Sequence, residues 1–305
     1  MSSCLVRATI IFAGLFCAAA ASAVTTVSSE HDYHKVQDYL KSVHAQYPQT
    51  TTLFSIGVSG TGESIDGIKI GTGSTHHLIV ATHHGNEYGS TEVALGAIAD
   101  FAQTPLDGKT IYVIPVLNIS GFNKNRREES LLANSEDQTA DANRDYPGPC
   151  GTNGPFHLLS TKALADFVDK EDIIATATLH TFWPVVAYPW GFATPDLSTP
   201  YDKIFIDLAN AAASVSQYTV GNSTAAIYPA PGTYEDYVFW KHGIWSLLFE
   251  LGESHSPSDA DLQTLVSVNV PGLRKMMEQA PTARAQDHEF HGKCDGRAFV
   301  DLQWD

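Results

Sequence analysis

Basic residues are scarce in this 305-residue chain: 18 Lys plus Arg stand against 34 Asp plus Glu, a net charge of −16. Neutralising a phosphate backbone needs a basic face, so no nucleic-acid partner is expected, and the excess acid is read as a solubility surface. Long apolar runs are missing too. The run Ile10 to Ala20 is too short to span a bilayer, and no later stretch approaches that length. No internal repeat, low-complexity segment or long Pro/Ser linker divides the chain, which argues for one large domain. A Gly-x-Ser-x-Gly elbow is absent, which disfavours a serine hydrolase. Gly71-x-Gly73 is no dinucleotide loop, because His76 stands where the third glycine belongs.

Cysteine is the last scarcity, with four residues. Two fall in a targeting segment. Arg7 precedes the apolar run, and Ala21-Ser22-Ala23 has the small-x-small pattern of a signal peptidase site. Residues 1–23 are therefore expected to be a signal peptide and 24–305 the mature domain, secreted or periplasmic and not membrane-bound. Phe16 before Cys17 is not the small residue that a lipoprotein signal requires. Removal of Cys4 and Cys17 leaves Cys150 and Cys294, read as one disulfide in an oxidising compartment. A role as metal ligands is disfavoured, since neither has a second Cys or His at ligand spacing.

Against these absences, helix and strand patterns interleave. Asp32 is placed to cap a helix with Tyr33, Val36, Tyr39, Leu40 and Val43 on one face. Leu53 to Val58 and Ile65 to Ile70 read as strands around a Gly-rich turn. Leu78 to Ala81 reads as a buried strand, and Ser90 as the cap of the helix that follows it. Thr110 to Val116 is a β-branched strand. Residues 120–155 form a long polar connection of the kind that is disordered or functional. A short helix over Leu164 to Val168, a strand over Ile173 to Leu179 and a helix opened by Pro200 follow. Ala226 to Asp236 reads as a Pro/Gly-rich loop, Ile244 to Phe249 as a strand, and Ala260 to Met277 as a helix disturbed at Pro271. The expected class is α/β: a single domain with a mixed, largely parallel sheet and helices on both faces.

Three apolar strands deliver polar residues at their ends: His84 and Glu87, then His180, then Glu250. His-x-x-Glu alone is a weak signal, and His76, His77 and His83 are neighbours that could equally be ligands or nothing. Imidazole with carboxylate suits zinc, however, and a carboxylate at a buried strand end is costly unless it is paired, metal-bound or at work on a substrate.

With these pieces in order, the chain resembles the zinc metallocarboxypeptidases of the carboxypeptidase A family. The matching residues are His84-x-x-Glu87, Asp141-Ala-Asn143-Arg144, His180 after a strand, Ile227-Tyr228 and Phe249-Glu250, spread over residues 32 to 280. The resemblance implies one zinc ion held by His84, Glu87 and His180, with a ligand position left for water. It implies Glu250 as general base and Arg126 as the cation that stabilises the oxyanion, with Arg127 as its rival. It further implies that Asn143, Arg144 and Tyr228 hold the free terminal carboxylate of a peptide, a task that suits the forked guanidinium. Glu235, directly before Asp236, occupies the family's pocket-floor position, where a carboxylate favours a basic terminal side chain.

Two departures stand out. The loop around Arg126 matches the family less closely than the ligands do. Only a few residues separate Ala23 from the first helix, so the folded activation segment of animal digestive members is expected to be absent. The expected activity is removal of a C-terminal residue by a monomer. Two alternatives stay open: an amidase or carboxypeptidase acting on peptidoglycan stem peptides, and a non-catalytic binding module of the same fold.

Overall fold

Asp32 accepts a hydrogen bond from the His34 amide and so starts helix α1 (Tyr33–Gln46), which buries Tyr33, Val36, Leu40 and Val43. In chain order there follow β1 (Thr51–Val58), β2 (Ser64–Ile70), β3 (Thr75–Ala81), α2 (Tyr88–Gln103) and β4 (Lys109–Ile114). Next come α3 (Ile119–Lys124), β5 (Glu129–Ser130), β6 (Thr139–Ala140), α4 (Leu159–Lys170), β7 (Ile173–His180) and β8 (Val185–Tyr188). The remainder is α5 (Asp202–Ala212), β9 (Thr219–Asn222), α6 (Ser223–Ala226), α7 (Tyr234–His242), β10 (Trp245–Glu250) and α8 (Asp259–Gln279). This computed structural model describes residues 26–133, 137–152 and 154–295; the expected signal segment lies outside them.

Eight strands form one sheet in the order β1-β2-β4-β3-β7-β10-β8-β9. Its centre, β4-β3-β7-β10, is parallel, while β1, β2 and β8 make antiparallel pairs. Every residue of β7 is buried, as a strand covered on both faces requires. Helix α2 packs with α1 and α8, and α8 with α5; α4 and α7 pack together as a second group. Parallel pairing brings the carboxyl ends of β3, β7 and β10 side by side, with Ala81 opposite Leu179 and His180 opposite Glu250. Polar residues that leave those ends are neighbours by construction.

Three readings of the sequence need correction. Ser90 does not cap α2: the turn at His84–Glu87 feeds straight into the helix, Glu87 takes the cap position, and the Ser90 hydroxyl donates to the Glu87 carbonyl (2.6 Å). The helix expected at Pro200 starts at Asp202, whose carboxylate accepts from the Thr199 amide and hydroxyl. Glu235 and Asp236 belong to the first turn of α7 rather than to a loop, where acidic groups suit the helix dipole. Pro271 is carried inside α8 without ending it.

The described residues of the long connection after β4 include the α3 turn and the β5–β6 ribbon, where Glu129 pairs with Ala140. Cys150 and Cys294 are bonded across 144 residues with their Cα atoms 5.4 Å apart, tying this connection to the segment beyond α8. Disulfides typically contribute about 2–4 kcal/mol, and the chain-entropy model puts a closure this long at about 5 kcal/mol.

Glu129 is fully buried; one oxygen accepts from the Ser160 hydroxyl and Oε1 has no hydrogen-bond partner. Burial, with Asp145 and Glu63 nearby and Ser160 opposing, pushes its pKa up to about 8. Between the ordinary value of 4.5 and about 8 the folded state holds a proton that the unfolded chain has lost. Stability therefore falls as pH rises through that window, by up to roughly 5 kcal/mol at about 1.4 kcal/mol per pH unit. Glu129→Gln should melt close to the parent at pH 5 and distinctly above it at pH 8.5. Melting curves with the same offset at both pH values would show that this carboxyl ionises normally.

Candidate active site

Thr82 turns the chain out of β3 in the left-handed region (φ 62°), held by hydroxyl contacts to Thr91 (2.6 Å) and the Pro115 carbonyl (3.0 Å). Gly85 then runs so close to the α3 backbone that a Cβ there would lie 2.0 Å from the Gly121 carbonyl carbon. This tight passage brings His84 and Glu87 to face His180 from the end of β7. His84 Nδ1 lies 2.8 Å from Glu87 Oε1, His180 Nδ1 lies 2.9 Å from Glu87 Oε2, and the two Nδ1 atoms are 3.2 Å apart. All three side chains are buried, and their donor atoms fall within 4.8 Å of one another. His83, by contrast, turns away to Tyr146 and Thr178, and His77 sits against Lys109.

Glu250, at the end of β10, is half-buried among these groups, and its buried Oε2 has no hydrogen-bond partner among the described residues. Burial, reinforced by the charge of Glu87 and opposed by Arg127, pushes its carboxyl well above the ordinary carboxylate range. The arginine beside the ligands is Arg127, not Arg126. One Arg127 nitrogen stands 3.2 Å from His84 Nδ1 and 3.6 Å from Glu87 Oε1, while Nε and the other nitrogen hold Asp141 at 3.0 and 2.8 Å. Arg126 instead donates to the Ser130 hydroxyl (2.8 Å). Of the two arginines named from the sequence, the structure thus sets Arg127 beside the ligands and Arg126 against Ser130.

A single cavity is lined by His84, His180 and Glu250 together with Asn143, Arg144, Tyr228 and Glu235. Asn143 is fixed by the Tyr234 amide, which donates to its Oδ1 (2.8 Å). Arg144 donates to the Asn143 carbonyl (2.7 Å) and the Tyr228 hydroxyl (3.2 Å) and makes no salt bridge among the described residues. Tyr228 is 43% exposed at the cavity mouth. Glu235 is 1% exposed, and its Oε2 has no hydrogen-bond partner.

A sequence profile described as zinc carboxypeptidase matches residues 36–271. The chain belongs to the zinc carboxypeptidase family. Among curated relatives of this family, carboxypeptidase B of Astacus astacus is 23% identical over 254 residues, covering 71% of this chain and 84% of the relative. Carboxypeptidase M of Mus musculus is 25% identical over 260 residues, 72% of this chain and 58% of the relative. Bovine thrombin-activatable fibrinolysis inhibitor, solved with a tick carboxypeptidase inhibitor, superposes with a TM-score of 0.73 at 18% identity, over 81% of this chain and 96% of that one. Carboxypeptidase A of Helicoverpa armigera gives 0.72 at 16% identity, over 82% and 73%. At such identities the structural likeness speaks for the fold.

The residues present fit the zinc of this family. Two imidazole nitrogens and a carboxylate converge, and each ring turns its other nitrogen to a polar neighbour, as ligating histidines do. His84 Nε2 meets Asp141 Oδ1 at 3.0 Å, and His180 Nε2 lies 3.4 Å from both Asn143 and Thr178. Burial alone would raise the Asp141 pKa, but His84 and Arg127 outweigh it and hold the carboxyl well below the usual range. Sequence reasoning missed this orienting role of Asp141, although the Asp-Ala-Asn-Arg run that contains it was in view.

Proposed function

We propose that the protein removes the C-terminal residue from peptides that carry a free terminal carboxylate. What supports this best is that one cavity is lined by His84 and His180, on which Glu87 converges, by Glu250 with its unpartnered Oε2, and by Arg144, which makes no salt bridge among the described residues. His84, Glu87 and His180 would hold the zinc, which when bound would supply a Lewis acid able to polarise a carbonyl and acidify water. Arg144, with Asn143 and the Tyr228 hydroxyl, takes the substrate carboxylate in its fork. Arg127 offers its inner nitrogen to the oxyanion that develops on the scissile carbonyl. Glu250 accepts a proton from the attacking water and returns it to the leaving amine, so each turnover leaves the carboxylate as it began. The Cys150–Cys294 bond and the leader pattern support action after export.

The decisive experiment is residue release from a peptide with a free C-terminus beside its amidated twin. The free peptide should be processed and the amide left intact; equal rates would defeat the carboxylate clamp. Phenanthroline should abolish release and zinc restore it, and His84→Ala should lose the metal. One equivalent of zinc retained by that variant would overturn the ligand assignment.

The buried, unpartnered Glu235 oxygen in the cavity wall supports a preference for basic terminal side chains. Its neighbour Asp236 is occupied with the Gly191 amide, and its carboxyl is pushed well above the usual range by burial and by Glu235. Glu235→Gln should lower kcat/KM for Lys- and Arg-ended peptides by about 1.5–3 kcal/mol while sparing Phe-ended ones. A parent enzyme that prefers Phe-ended peptides would reject this preference.

A further inference from the structure

The backbone that carries Arg144 is gripped from a side that does not face the cavity. Asp145, the next residue, is 2% exposed and spends its carboxylate on the start of α4. Oδ1 accepts from the His157 amide (2.9 Å) and lies 2.9 Å from His157 Nδ1. Oδ2 accepts from the Leu158 amide (3.0 Å) and the Thr161 hydroxyl (2.6 Å). The Asp145 carbonyl takes the Phe156 amide (2.8 Å), and the Tyr146 amide is bonded to the Gly232 carbonyl (3.1 Å). Gly232, at φ +84°, lies so close that a Cβ there would be 2.4 Å from the Arg144 carbonyl oxygen.

A carboxylate leaves water at acceptable cost only when donors replace its hydration, and here four do so. Those donors belong to the short segment 157–161 that leads into α4, in which Leu158 and Thr161 are buried and the His157 ring is exposed. Among the described residues the Arg144 side chain, by contrast, hydrogen-bonds only to the Asn143 carbonyl and the Tyr228 hydroxyl, with the Tyr228 ring 5.9 Å from its guanidinium carbon. We propose that Asp145 is a positioning residue for terminal-carboxylate recognition: by tying the residue after Arg144 to the first turn of α4, with Thr161 as part of the tie, it sets where the guanidinium meets the substrate. The inference rests on the reading of Arg144 as the clamp. Two-point bonding of a carboxylate tolerates little displacement, so a slack tie weakens substrate binding before it touches the chemistry.

The test places Asp145→Asn, Thr161→Val and Thr161→Ser in the parent and in an Arg144→Ala background. In Asp145→Asn an amide nitrogen, which cannot accept, faces donors. KM should rise about tenfold for Asp145→Asn and about threefold for Thr161→Val with kcat nearly unchanged, and Thr161→Ser should restore the parent value. In the Arg144→Ala background neither Asp145→Asn nor Thr161→Val should change kcat/KM by more than about twofold. Equal losses in both backgrounds, or a loss confined to kcat, would overturn the proposal and leave Asp145 a structural cap. Should Asp145→Asn fail to fold, the Thr161 pair decides alone. Arg144→Ala with an unchanged KM would instead reject the clamp reading on which the proposal stands.

Discussion

Glu250→Gln is expected to lower kcat by about 10²- to 10⁴-fold while zinc content and KM stay near those of the parent. The substitution keeps the shape of a side chain whose Oε2 has no hydrogen-bond partner, so little packing is lost. What disappears is the ability to take a proton. Burial and the neighbouring Glu87 already favour the protonated form, and Arg127 and Arg144 pull the other way. A variant that retains more than about a tenth of the parent kcat would exclude Glu250 as the base.

The second large effect separates two adjacent arginines. Arg127→Ala should cost about 10²- to 10³-fold in kcat, the scale of a lost oxyanion donor, whereas Arg126→Ala should stay within a few-fold. Arg127 also holds Asp141, which orients His84, so zinc content must be measured alongside. A rate loss with zinc retained assigns the effect to the reacting carbonyl. Arg127→Lys should recover only part of it, because an ammonium keeps the charge but not the fork that spans Asp141 and the ligands. Equal losses in Arg126→Ala and Arg127→Ala would remove the distinction.

The outcome for these arginines marks where sequence reading stops. Leu78 to Ala81, Ile173 to Leu179 and Ile244 to Phe249 announce buried strands by composition, and parallel pairing then places their carboxyl ends together. That is why His84, Glu87, His180 and Glu250 could be picked out before any coordinates. In the irregular stretch from Asn125 to Ser130, side-chain direction depends on the left-handed turn at Asn125 and the ribbon that follows, and no periodicity records it. The same holds where Glu87 rather than Ser90 begins α2: the start was set by a close passage at Gly85, a tertiary contact. Glu235 was placed in a loop because Pro229, Pro231 and Gly232 dominate the local pattern, although the helix begins two residues after that glycine.

The division between strand ends and loops bears on how such a protein can change over time. The metal donors and Glu250 leave adjacent strands of a fully packed sheet, where substitution disturbs the core at once. Ala230, Thr233 and Glu235, which line the same cavity, lie on the stretch from α6 into α7. Mutations there can alter which residue is removed while the reacting centre is inherited intact. A lineage built on this fold can therefore shift its diet one cavity residue at a time, without passing through an inactive ancestor.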